Sequence, residues 1–139
     1  QKTPRTLGVW LFGAYGGLAT TTVVGARAMA RGLAEPRGLA TATAIADGVP
    51  LRPLDRLVFG GHEIRSGDYV SAAAEIAKRN GSLPEDLLRR LAPDLKRTSR
   101  DVVAGVSPNA GSTIEALRDR PSKKQPRREP LRTQLERVC

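Results

Sequence analysis

The sequence predicts an α/β chain: a βαβ unit with an incomplete parallel sheet and flanking helices. Three observations predict it. The run Leu7-Gly8-Val9-Trp10-Leu11-Phe12 is almost continuously apolar, as a strand buried on both faces should be. It stops at a glycine-rich turn, Gly13-Ala14-Tyr15-Gly16-Gly17, and a helix-competent stretch of small residues follows at once. Strand, tight glycine turn and helix in that order are how a Rossmann-like dinucleotide-binding unit begins.

The first strand is read over residues 6–12 and the first helix over 18–33. Val23, Val24, Ala26, Ala30 and Leu33 recur at helical spacing, and Gly25 and Ala28 allow close approach to a sheet. Gly32 and the turn Glu35-Pro36-Arg37-Gly38 end that helix. Residues 39–45 read as a short strand or extended segment, and Asp47-Gly48-Val49-Pro50 as a turn. Residues 57–59 form the second strand and run into Gly60-Gly61-His62-Glu63-Ile64-Arg65. A helix is expected over 68–80, ended by Asn80-Gly81. Ser82-Leu83-Pro84-Glu85 has the spacing of a capping box and starts a helix that should stop near Pro93. A further short helix is expected over 94–103, and a second capping box, Ser112-Thr113-Ile114-Glu115, opens a helix to about residue 118. Residues 122–130 read as a polar linker. Leu131, Leu135 and Val138 then share one face of a last helical stretch, 131–139.

Length and composition bound the function. At 139 residues the chain is at most one ordinary domain. It starts at Gln1 and stops at Cys139 inside a helical pattern, so it is expected to be part of a longer protein. Residues 1–121 then form the amino-terminal part of a nucleotide-binding domain. Net charge is +9. The positive charges are mostly arginine and spread over several segments, and aromatic stacking platforms are scarce. This favours a solvated basic surface over a nucleic-acid site. One cysteine excludes a disulfide framework within the chain and fits a reducing cytoplasm. The 7–12 run is far too short to span a bilayer.

The candidate cofactor-binding residues are Gly13, Ala14, Tyr15, Gly16, Gly17, Leu18, Ala19, Thr20 and Glu63. The glycines permit a tight turn and close backbone approach to a pyrophosphate, and the helix start offers free N–H groups to it. The spacing Gly13-x-x-Gly16-x-x-Ala19 is not G-x-G-x-x-G, because Tyr15 stands at the second glycine. Thr20, Thr21 and Thr22 add hydroxyls suited either to a phosphate or to packing and capping of the helix start. Glu63, at the end of the second strand, reads either as a surface turn acid or as the acid placed for the adenosine ribose. It lies about fifty residues past Gly13 rather than the usual twenty or so. His62 reads as a packing residue rather than a catalyst. Ser107 and Asn109 sit in a Gly/Pro-flanked loop that reads as a plain turn. No catalytic or metal-binding residue is assigned.

Three segments, taken in order, resemble the amino-terminal part of bacterial inositol-3-phosphate synthases. Val9-Trp10-Leu11-Phe12-Gly13-Ala14-Tyr15-Gly16-Gly17-Leu18-Ala19-Thr20-Thr21 resembles the family's first strand and NAD-binding loop. Leu54-Asp55-Arg56-Leu57-Val58-Phe59-Gly60-Gly61-His62-Glu63-Ile64 resembles its GGxDI strand end, with Glu63 for the usual Asp. Arg127-Arg128-Glu129-Pro130-Leu131-Arg132-Thr133-Gln134-Leu135-Glu136-Arg137 resembles the helix before its next strand. The resemblance implies NAD as cofactor, glucose 6-phosphate as the parent enzyme's substrate, a cytoplasmic homo-oligomer, and a role in inositol and phospholipid biosynthesis. It also implies a closed redox cycle. NAD oxidises a sugar hydroxyl, an internal aldol step closes the ring, and the hydride returns. The family's catalytic lysines lie in later sequence, so these 139 residues alone are expected to be inactive and poorly soluble. Two alternatives stay open on the residues themselves: another Rossmann oxidoreductase, or a small basic nucleic-acid-binding module.

Overall fold

Strand β1, Leu7–Phe12, pairs in parallel with β2, Leu57–Glu63, in a register that runs from Leu7 opposite Leu57 to Phe12 opposite His62. A short β3, Val102–Ala104, adds to the far edge of β2, also parallel, so the strand order is β1-β2-β3. The computed structural model describes residues 5–105 and 111–117, together with 130, 132, 133 and 136. Within them the chain is α/β: a three-stranded parallel sheet flanked by helices, compatible with part of a Rossmann-like unit.

Helix α1, Gly17–Ala30, crosses between β1 and β2, while α2, Tyr69–Asn80, and α3, Glu85–Ser99, lie between β2 and β3 in sequence. The three helices pack on one another. Val23, Val24, Ala26 and Ala28 of α1 meet Tyr69 and Ala73 of α2 and Leu91 and Leu95 of α3, over a sheet face built from Val9, Leu11, Leu57 and Phe59. Small residues along α1 let α2 and α3 pack closely against it. Side chains alternate along a strand, so the other face carries Trp10, Phe12, Val58 and Val103. That face is uncovered among the described residues: Trp10 is 51% exposed and Phe12 73%.

Four expectations are corrected. Residues 39–45 form no strand; they make two 3₁₀ turns, Ala40–Ala42 and Ala44–Ala46. Alternating Ala and Thr offer no broad apolar face, and the Thr43 hydroxyl donates to the Ala40 carbonyl at 2.7 Å, a local bond that competes with a ladder. Pro93 does not stop its helix, because α3 runs through it. Leu91, Leu95 and Thr98 lie at helical spacing and are buried, and that packing outweighs the N–H that proline lacks. Neither expected capping box forms. Pro84 is the N-cap of α3 without a side-chain bond, while the Ser82 N–H donates to Asn80 Oδ1 at 3.0 Å within the turn that ends α2. Gly111 caps the short α4, Ser112–Ala116, again without a side-chain bond. Finally, the expected helix over 94–103 divides: its first half belongs to α3 and its end is β3. Two adjacent valines suit a strand, and the open edge of β2 supplies the partner.

The 122–130 linker, Ser107, Asn109, Leu131, Leu135, Val138 and Cys139 lie outside the described residues, apart from Pro130. Arg132 and Glu136, both exposed, form an i,i+4 ion pair at 2.9 Å.

Candidate functional site

The glycine turn lies at the carboxyl end of β1, the edge of a parallel sheet where α/β proteins bind ligands. Its backbone is held from beneath by β2. The N–H groups of Gly13 and Ala14 both donate to the His62 carbonyl, at 2.9 and 3.0 Å. The Tyr15 N–H donates to Glu63 Oε2 at 2.7 Å, and the Gly16 N–H to the Gly13 carbonyl at 2.8 Å. Gly13 adopts φ +76°, which favours glycine. A Cβ on Gly16 would sit 2.9 Å from the Gly13 oxygen, so the turn itself demands glycine there.

The next three N–H groups differ. Gly17, Leu18 and Ala19 form the first turn of α1, where no intrahelical acceptor exists. The N-cap, Gly16, offers no side chain, and the first turn holds no acid. A Cβ on Gly17 would meet nothing within 4 Å, and Leu18 is 86% exposed. The loop therefore presents an open, uncapped helix start carrying partial positive charge.

Two of the three threonines bond within α1. The Thr21 hydroxyl donates to the Gly17 carbonyl, and that of Thr22 to the Leu18 carbonyl at 2.9 Å. Thr20 is fully buried, and its hydroxyl has no partner among the described residues. Ala14 is fully buried too. Tyr15 turns its ring edge-on to Tyr69 at 5.2 Å, with the Ser99 hydroxyl beside its phenol. Burial pushes both phenols up from their ordinary value, Tyr69 to about 12.

The structure brings Glu63 against the glycine loop. The residue is 6% exposed. Besides the Tyr15 N–H, its carboxylate accepts from the N–H groups of Ile64 at 2.8 Å and Arg65 at 3.2 Å, and it faces the Arg65 guanidinium at 3.3 Å. Burial alone would raise its pKa. The Arg65 guanidinium and the N–H groups of Tyr15, Ile64 and Arg65 outweigh that and hold it below the usual carboxylate value. His62 is a packing residue: Trp10 Nε1–H donates to its Nδ1 at 2.8 Å, and Phe12 stacks on its ring.

Sequence reasoning missed Arg65 and Asp68. Asp68 caps α2. Its Oδ1 accepts from the Ser71 N–H at 2.8 Å, and the Ser71 hydroxyl receives the Asp68 N–H. The Asp-x-x-Ser spacing was the available signal. Tyr15, Arg65, Asp68, Ser71 and Glu75 border a cavity of about 280 Å³ beside the loop. A larger apolar hollow, bordered by Leu7, Leu51 and Leu57, lies at the opposite end of the strands.

The chain is similar to an inositol-3-phosphate synthase. Over 85 residues it is 40% identical to inositol-3-phosphate synthase 1 of Bacteroides thetaiotaomicron, a match covering 52% of this chain and 20% of the relative. The chain thus spans about a fifth of the length of the curated relative it matches. No family model matches it. Among the described residues, no helix is long and apolar enough to cross a membrane.

Proposed function

We propose that this chain supplies the NAD-binding loop of an isomerase of the inositol-3-phosphate synthase kind, acting in its complete form on glucose 6-phosphate. The observation that carries the reading is the uncapped start of α1 at the carboxyl edge of a parallel sheet. Four loop N–H groups are turned inward, and those of Gly17, Leu18 and Ala19 remain for an anion. Similarity to the synthase supports the same reading from the sequence side.

The residues fit a pyrophosphate. The open space at Gly17 is a cradle that a Cβ would begin to fill. Gly13 and Gly16 shape the turn, Ala14 and Thr20 are buried, and Tyr15 packs its ring on Tyr69. NAD, when bound, supplies a hydride acceptor; the chain's own residues bind and orient its phosphates. Calorimetric titration with NAD tests the reading. Wild-type protein should bind, and Gly16→Leu should lose binding, because the added side chain collides with the Gly13 carbonyl and deforms the loop. Unchanged affinity in a folded variant would reduce the loop to a structural turn.

A further inference from the structure

We propose that His62 is a positioning residue of the glycine loop, and that the hydrogen bond it accepts from Trp10 sets how firmly the loop holds a dinucleotide. The inference rests on the loop binding a dinucleotide, as proposed above.

The loop is anchored where His62 stands. Phe12, the last residue of β1, lies directly opposite His62 of β2. Gly13 and Ala14 follow at once, and both of their N–H groups donate to the His62 carbonyl, at 2.9 and 3.0 Å. A single carbonyl thus carries the first two residues of the loop. The bonds from β2 toward β3 use the neighbours instead. The Gly61 N–H donates to the Asp101 carbonyl at 3.1 Å, and the Glu63 carbonyl accepts from the Gly105 N–H at 2.7 Å. How His62 is seated in the sheet therefore bears directly on where the loop begins.

Its side chain is seated by β1. Alternation puts His62 on the sheet face away from the helices, with Trp10 and Phe12. Trp10 lies opposite Gly60. A Cβ on Gly60 would stand 2.7 Å from Trp10 Cζ3, so the missing side chain makes room for the indole over β2. From there the indole reaches the diagonal neighbour, His62. Its Nε1–H donates to His62 Nδ1 at 2.8 Å, with the two rings edge-on at 5.2 Å, and the Phe12 ring stacks on the imidazole at 5.6 Å. His62 is 5% exposed on a face where Trp10 and Phe12 are themselves open. Nδ1 accepts only when the ring proton is on Nε2, so the bond also fixes which way the ring is turned. An apolar ring would satisfy the stacking on Phe12 equally well. Only an acceptor at this point ties Trp10 to the residue that carries the loop.

The test compares the full chain with three variants, each titrated with NAD by calorimetry well below its thermal melt. His62→Phe keeps a ring for Phe12 and removes the acceptor. Trp10→Phe keeps a ring and removes the donor. His62→Asn loses the ring but carries an amide oxygen as far along the side chain as Nδ1. His62→Phe and Trp10→Phe should each bind NAD about fivefold more weakly, the value of one hydrogen bond, and His62→Asn should recover to within about twofold. The two losses should not add in the double variant, because both remove the same bond. Trp10 is the lone tryptophan, so its emission reads the bond: it should shift in His62→Phe and hold in His62→Asn. Should His62→Phe fail to fold, Trp10→Phe decides alone. A folded Trp10→Phe that binds NAD as tightly as wild type would overturn the assignment. So would additive losses, or His62→Asn binding no tighter than His62→Phe. If wild-type protein binds neither NAD nor ADP, the proposed function falls, and this inference with it. If wild type and all variants bind both equally, only this inference falls.

Discussion

Gly61→Ala should be among the most destabilising single-methyl additions in this chain. Gly61 lies in β2, opposite Leu11 and two residues before Glu63. A Cβ there would stand 2.2 Å from the Leu11 carbonyl oxygen and 3.1 Å from the Ala14 Cβ. Close carbon–oxygen contacts in sheets lie at about 3.3 Å, so the strands would have to separate by about 1 Å. The obstacle is backbone, and both strands are held by the parallel ladder and by the bonds from Gly13 and Ala14 to the His62 carbonyl. Overpacking of a flexible core costs about 1–3 kcal/mol, and a backbone clash falls at the upper end, about 3 kcal/mol. With a urea slope of about 2 kcal/mol per molar, the unfolding midpoint should fall by about 1.5 M. Gly8→Ala is the matched control. Gly8 lies in β1 with nothing within 4 Å of its added Cβ. That substitution should be neutral or stabilise by about 0.5 kcal/mol. Urea unfolding followed by circular dichroism measures both. Midpoints for the two variants that agree within about 0.3 M would refute the close-approach argument.

Three further outcomes are expected. Glu63 has a folded pKa below its ordinary 4.5, so its contribution to stability is full above pH 4.5 and is lost as the pH falls through the folded value. The stability gap between wild type and Glu63→Gln, measured by denaturation from pH 6 down to pH 3, should therefore narrow on acidification; a constant gap would show that the pairing contributes nothing. Pro93→Ala should stabilise α3 by about 1–3 kcal/mol, since it restores a helix N–H, and a lower thermal midpoint would count against that. Gly17→Ala should leave thermal stability unchanged or slightly raised, because its Cβ meets open space, yet weaken NAD in titration; equal affinity would place the phosphates elsewhere.

The elements legible in the sequence are those whose signals are local. β1, α1, β2 and α2 were marked by apolar runs and by glycine or Asn-Gly punctuation, and all four form; β1 and α2 keep their expected bounds to within a residue, while α1 ends at Ala30 rather than Leu33 and β2 runs on to Glu63 rather than ending at Phe59. β3 was not legible because three residues carry no period; β2's free edge makes Val102–Ala104 a strand. The length of α3 was hidden by Pro93, whose local penalty is visible in sequence while the burial of Leu91 and Leu95 that overrides it is not. At the site, the glycine turn was legible and so was the position of Glu63. The convergence of N–H groups on that carboxylate was not, since it depends on the backbone at Ile64 and Arg65.

The presence of Tyr15 at the second glycine of the usual fingerprint shows which parts of that pattern are physically required. Glycine is demanded where φ is left-handed, at Gly13, and where a Cβ would strike the turn's own carbonyl, at Gly16. Position 15 meets neither condition. Its N–H points to Glu63 and its ring packs on Tyr69, so a large side chain there stiffens the loop from the helix side. The phosphate site proposed here would be defined by which N–H groups the fold leaves without an acceptor, and glycine spacing is one route to that outcome. Here the inward bonds of residues 13 to 16 hold the turn while the start of α1 stays open. The groups that shape the loop and those that would meet a ligand are thus different groups, and the substitutions proposed above can separate them.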